Sequence, residues 1–144
     1  MSITREHPSL RLSVLPQTFF VRQTTEVPND ALARLCADPR AFLSITRTAD
    51  EWSLVGECAD GDLDGKWMCI KVAGPMDFGL TGIMCDLSTP LKRAGVPIFA
   101  ISTWNTDYVL VPKEKVGDAV LALRGDGWLF DSSVPEMSSS QGPG

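Results

Sequence analysis

Among 144 residues the chain has one histidine and one tyrosine, and its four cysteines stand well apart with no Cys-x-x-Cys spacing. The histidine, His7, precedes Pro8 near the start of the chain, a poor place for a general base. Cys36, Cys58, Cys69 and Cys85 sit among apolar neighbours such as Leu35 and Ile70. That pattern reads as four buried thiols, not a zinc site or a disulfide framework. Thirteen basic residues face eighteen acidic ones, for a formal charge of -5. The basic residues are scattered, so the electrostatic footprint of a nucleic-acid binder is missing. No stretch approaches the ~20 apolar residues that would cross a bilayer, and Met1 to Pro8 carries no apolar run. The expected location is cytoplasmic.

What remains is 44% apolar and 22% charged, a composition able to bury one shared core. Leu12 to Val21 reads as extended, with Pro16 predicting an edge strand, a bulge or two short strands. Asn29 or Asp30 is suited to cap a short helix over Ala31 to Leu35 that ends before Pro39. Phe42 to Thr48 and Trp52 to Cys58 are strand segments around the polar turn Ala49-Asp50-Glu51. Lys66 to Ala73 is a further strand. After a glycine-rich loop, Ile83, Met84, Leu87 and Leu91 define one side of a helix stopped by Gly95. Pro90 predicts a kink, or a restart with Thr89 as cap. Val96 to Thr103 and Tyr108 to Val111 form a second strand pair. Lys113 to Arg124 is a helix with Val116, Ala119, Val120 and Leu123 inward and Gly125 as its stop. Trp128 to Phe130 is a last short strand, and residues 131–144 are too polar and too rich in glycine and proline to order themselves.

Ser44 to Val55 aligns without gaps on Ala100 to Val111, so the chain looks duplicated. The fold class is therefore α+β: two tandem ferredoxin-like units, 10–60 and 66–130. The second has the order βαββαβ, the first is abbreviated, and their sheets pair side by side.

Two motifs fail on inspection. Asp60-Gly61-Asp62-Leu63-Asp64-Gly65 opens like a calcium loop, but Lys71 stands where the bidentate glutamate belongs. Gly74 and Gly79 have phosphate-loop spacing, yet Leu80 replaces the lysine. Gly74-Pro75-Met76-Asp77-Phe78-Gly79-Leu80-Thr81-Gly82 instead leads from a strand to a helix N-terminus, where free amides and the helix dipole suit a small carboxylate. An accompanying ammonium group would find Asp77 or Asp107. The plainer alternative is a tight strand-to-helix turn with Thr81 as cap and Asp107 closing a hairpin.

Gly74 to Ile83 and Pro90 to Val111 together resemble the ACT domains of the Castor-type family. The resemblance is close over Trp67 to Trp128 and looser over Leu10 to Glu57. It implies paired ACT units that bind a free amino acid at the seam between units, with sensor members passing occupancy to a protein partner, and no catalysis. Carried over, the ligand loop falls on Asp77, Phe78, Gly79, Leu80, Thr81 and Gly82, and the polar strand-end set on Ser102, Thr103, Asn105 and Asp107. The first copy has Arg22-Gln23-Thr24-Thr25-Glu26-Val27-Pro28 in place of the loop, so one site per chain is expected, with Arg47 and Glu51 as candidate contributors. Trp104 and Gly79 depart from the family's usual residues and bear on the pocket's size. Neither metal nor cofactor is expected, a homodimer is, and a ligand-free oligomerisation or docking module is the alternative.

Overall fold

A computed structural model describes residues 7–59, 62–75 and 82–131. The elements run β1 (Leu12–Thr24), α1 (Asn29–Ala37), β2 (Leu43–Arg47), β3 (Trp52–Glu57), β4 (Trp67–Val72), α2 (Ile83–Arg93), β5 (Phe99–Ser102), β6 (Asp107–Pro112) and α3 (Val116–Gly125). The hydrogen-bonded strand order is β2-β3-β1-β4-β6-β5. The chain divides into two compact units at Pro16 and again at Trp67, so β1 contributes its first residues to one unit and its remainder to the other. Residues 10–16 thus group with the C-terminal unit, whereas the sequence pattern placed them in the N-terminal one.

The N-terminal unit, residues 17–67, is the part of β1 from Gln17 onward with α1, β2 and β3. β3 pairs antiparallel with β1 from Phe19 to Thr24 and with β2 from Leu43 to Arg47. Pro16 precedes this ladder, so its missing N–H leaves no gap in it, and β1 runs through as one strand instead of breaking. Phe20, Ala31, Leu54 and Cys58 form the core, with Leu43 and Ile45 against it. Helix α1 starts after Pro28 with no side-chain cap. Asn29 and Asp30 are therefore already helical, and Asp30 contributes its charge to the first turn.

The C-terminal unit has the order β4-α2-β5-β6-α3. Leu10, Leu12 and Val14 join Met68, Ile70 and Val72 of β4, Val109 and Val111 of β6, and the inner faces of α2 and α3 in one apolar cluster. The inward residues of α3 are the four anticipated from its spacing, Val116, Ala119, Val120 and Leu123. Helix α2 runs unbroken from Ile83 to Arg93 through Pro90, and the hydroxyl of Thr89 turns back to donate to the Cys85 carbonyl at 2.7 Å instead of capping a new start.

Both helices end alike. Gly95 adopts φ 73°, with its N–H on the Lys92 carbonyl and that of Val96 on Leu91. Gly127 adopts φ 97°, with its N–H on Arg124 and that of Trp128 on Leu123. Each is a glycine-terminated motif with an apolar residue folded back on the last turn. The stop of α3 is therefore Gly127, two residues beyond Gly125. Trp128 is spent on that closure, and the last strand shrinks to one parallel bridge between Phe130 and Leu12.

Among the thiols, Cys58 and Cys69 are buried and Cys85 is exposed, against the expectation of four buried. No described helix is long and apolar enough to cross a membrane. Of the expected tail, only Asp131 lies within the described residues.

Candidate functional site

The hairpin β5–β6 is closed by a four-residue turn, Thr103 to Thr106, flanked by the cross-strand pair Ser102 and Asp107. Thr103 organises this turn. Its N–H and hydroxyl donate to the Thr106 carbonyl at 2.9 and 3.1 Å, and its Oγ1 accepts from the N–H groups of Asn105 and Thr106, both at 3.3 Å. The turn satisfies its own backbone and keeps a fixed shape. Beside it, the Ser102 hydroxyl donates to Asp107 Oδ1 at 2.6 Å, which holds one carboxylate oxygen and leaves the group further acceptor capacity.

Strand parity decides which way this carboxylate faces. Val109 and Val111 of β6 belong to the cluster under α2 and α3. Side chains alternate along a strand, so Asp107 lies on that same face, at the end of the sheet where β4 leads toward α2. Gly82 immediately precedes α2 in the left-handed conformation, φ 84°, and its carbonyl accepts from Asp86 N–H at 2.9 Å. The first amides of α2 have no partner within the helix.

The entry to the intervening loop is pinned. The Thr106 hydroxyl, on a residue only 2% exposed, donates to the Val72 carbonyl at 2.7 Å. Gly74, at φ 66°, lies so close to the turn that an added Cβ would meet Thr106 Cβ at 3.0 Å and the Asn105 carbonyl at 3.1 Å. From the other side, Ala73 N–H donates to the Arg11 carbonyl at 2.7 Å and Gly74 N–H to the Ser9 carbonyl at 2.9 Å. Ser9 lies in a single 3-10 turn, Pro8–Leu10, whose first N–H bond is taken by His7 Nδ1. His7 is thus a cap.

Of the residues anticipated from sequence, Gly82, Ser102, Thr103, Asn105 and Asp107 are described, and the last four share the β5–β6 turn. Asp77, Phe78, Gly79, Leu80 and Thr81 lie outside the described residues. Thr106 and Ser9 were missed, and Gly74 was read only as the start of the loop, not as a contact of the turn. A buried threonine inside a polar turn has no distinguishing sequence signal.

Lys71 Nζ stands 5.9 Å from the Tyr108 ring centroid. Burial, together with the neighbouring Cys69, raises the Tyr108 hydroxyl above its ordinary range. No group of three metal-ligating side chains occurs among the described residues. The described part of the Asp60–Gly65 run is a turn in which Asp62 Oδ1 accepts from Asp64 N–H at 2.9 Å, and Asp64 meets Arg22 at 3.5 Å.

Residues 62–125 match the family model of the ACT domain. A stretch of 64 residues is 36% identical to the protein named cytosolic arginine sensor for mTORC1 subunit 1 from Bos taurus. It covers 42% of this chain but 20% of that protein, so the chain matches about a fifth of the sensor's length. Among solved structures, an Agobacterium tumefaciens protein is similar with TM-score 0.67 at 28% identity, over 88% of this chain and 96% of that one. The regulatory subunit of aspartate kinase from Thermus thermophilus, ligand-free, gives TM-score 0.55 at 8% identity over 81% and 96%. At that identity the likeness speaks for the fold alone. The architecture is α+β and ferredoxin-like, with the ACT match confined to residues 62–125.

Proposed function

We propose that the chain is a non-catalytic regulatory protein that binds a free amino acid at the loop end of its C-terminal unit. The observation that carries this reading is the close approach of Gly74 to Asn105 and Thr106. It sets the entry of the glycine-rich loop against the turn that bears Asp107, within the segment that matches the ACT domain. In this reading the amides around Gly79 to Gly82 and the start of α2 hold the α-carboxylate. Asp107, with the polar groups of Ser102, Thr103 and Asn105, receives the ammonium. Phe78 and Leu80 bound the side chain, and Asp77 supplies a second anionic group. A few charge-assisted bonds of about 1.5–3 kcal/mol each are enough for micromolar affinity, roughly -8 kcal/mol, once desolvation and ordering are subtracted.

One relative is named as an arginine sensor, which supports a regulatory role and makes arginine the first ligand to try. A ligand acts as a signal only when it binds two states unequally, so occupancy here is read through a homodimer or a protein partner in the cytoplasm. A ligand-free docking module is the second reading, favoured by the 2.6 Å bond that already ties Asp107 to Ser102.

Thermal unfolding in the presence of each standard amino acid separates the two. A ligand at about 100 times its Kd adds about 2.7 kcal/mol to the folded state. The expected result is one selective upward shift, lost in Asp107→Ala. Twenty flat responses would leave the docking reading in place, and a selective shift that survives the substitution would take Asp107 out of the site.

A further inference from the structure

We propose that Thr106 is a positioning residue for this ligand site, and that the buried hydroxyl of Thr106 and the missing side chain of Gly74 act together as the latch that sets the loop against the Asp107 turn. The inference rests on the amino-acid-binding reading and adds to it a residue that makes no contact with ligand.

Thr106 is the one buried polar residue among the described positions, at 2% exposure. Its hydroxyl spends its proton on Val72, the last residue of β4, at 2.7 Å. Its backbone carbonyl closes the turn from Thr103. One residue therefore links the end of the strand that delivers the loop to the turn that carries Asn105 and Asp107. A buried carbonyl left without its donor is destabilised, so the hydroxyl is not replaceable by a methyl group of equal size. Gly74 completes the latch. It passes Thr106 Cβ and the Asn105 carbonyl at distances that no Cβ could share without displacement, at a φ of 66° that side chains resist. The Ser9 carbonyl then closes the other side of Gly74 at 2.9 Å. The loop leaves β4 in one direction because three groups hold its second residue.

In this proposal the latch fixes where the loop starts relative to the turn that bears Asp107. The amides at the start of α2 lie beyond the far end of the loop, while Asp107 is on the turn. A carboxylate and an ammonium on one carbon demand that the two halves keep a fixed separation, and a misplacement of about 1 Å is costly in such sites.

The test compares Thr106→Val, which keeps shape and loses the hydroxyl, with Thr106→Ser, which restores it, in the full chain. The readouts are affinity for the amino acid that stabilises the wild type, by titration calorimetry, and amide exchange at Gly74 in the ligand-free protein. Thr106→Val is expected to weaken binding about tenfold and to speed exchange at Gly74, while Thr106→Ser returns both most of the way. Gly74→Ala, which leaves the hydroxyl in place, should weaken binding at least as much. Equal affinities for wild type and Thr106→Val, or a serine variant no better than valine, would overturn the proposal. Should the wild type bind no amino acid at all, the reading of the preceding section falls. Exchange at Gly74 then decides the latch alone: unchanged protection in Thr106→Val overturns it and faster exchange sustains it.

Discussion

The hairpins β2–β3 and β5–β6 are one design carried out twice. Arg47 pairs with Trp52 across the first turn and Ser102 with Asp107 across the second, so equivalent positions lie 55 residues apart. The turns agree in detail. Thr48 N–H reaches the Glu51 carbonyl at 2.9 Å, as Thr103 reaches Thr106. Thr48 Oγ1 accepts from Asp50 and Glu51 N–H at 3.1 and 3.2 Å, as Thr103 Oγ1 does from Asn105 and Thr106. Strands β3 and β6 bury the same three central positions. Scaffolding has been kept and chemistry has not. Where the second hairpin carries the Ser102–Asp107 hydrogen bond, the first places the Arg47 guanidinium 5.7 Å from the centre of the Trp52 ring. Between strand and helix the first unit has four residues, 25–28, against ten, 73–82, in the second. A four-residue link has no room for an anion cradle, so the proposed site falls to the second unit alone.

The largest break in the likeness is Gly56, whose equivalent is Val111. A Cβ on Gly56 would meet the Phe20 ring at 2.9 Å and Leu43 Cδ1 at 3.1 Å. Phe20 has little room to yield, since the guanidiniums of Arg22 and Arg34 lie 4.5 and 5.4 Å from its ring centre. Gly56→Val gives the first hairpin the residue of the second, and overpacking of this kind is expected to cost about 3 kcal/mol. Urea denaturation should show it as a lower midpoint. A loss below about 0.5 kcal/mol would mean the two cores are interchangeable.

A smaller effect sharpens the comparison. Thr48→Val and Thr103→Val each remove an oxygen that accepts two amides, and each is expected to lower stability by about 1 kcal/mol. Stability alone treats the turns as equals. Only Thr103→Val should also reduce the ligand-induced shift in unfolding temperature, because its turn carries Asp107. Reduced binding in Thr48→Val would contradict the assignment of one site per chain.

The duplication was legible in the sequence, but one residue out of step. The gapless match of Ser44–Val55 on Ala100–Val111 uses an offset of 56, which sets Arg47 on Thr103, while the hydrogen bonds require 55, which sets Thr48 on Thr103. Identical aliphatic residues dominate such an alignment, and a slip of one in a strand exchanges the two faces. The inward residues of α3 were readable because a helical stripe repeats over several turns. Its end was not, since Gly125 and Gly127 are equally plausible stops until the bond from Trp128 N–H to Leu123 is known. The polar set Ser102, Thr103, Asn105 and Asp107 was found as side chains with chemistry. Thr106 stands in the same run, and only its 2.7 Å bond to the carbonyl of Val72, 34 residues away, separates it from them.

The two units also differ in their buried thiols, and pH exposes the difference. Burial pushes the Cys69 thiol from 9.0 up to about 12. Cys58 is raised too, first by burial and then by the carboxylate of Asp62, but less far. Below pH 9 both thiols keep their protons in the folded and the unfolded chain, and neither makes stability depend on pH. Between 9.0 and about 12 the unfolded chain releases the Cys69 proton while the folded one holds it, so stability falls as pH rises, by at most about 1.4 kcal/mol per pH unit. For Cys58 the window closes sooner. Unfolding temperatures measured from pH 8 to 10.5 should therefore decline less steeply in Cys69→Ala than in wild type, with Cys58→Ala between them. The alanine variants start from lower stability, so the slope and not the midpoint carries the answer. Parallel slopes for all three proteins would mean that the Cys69 thiolate is as well accommodated in the folded chain as in water, against its burial between β1 and β6 in the strand order.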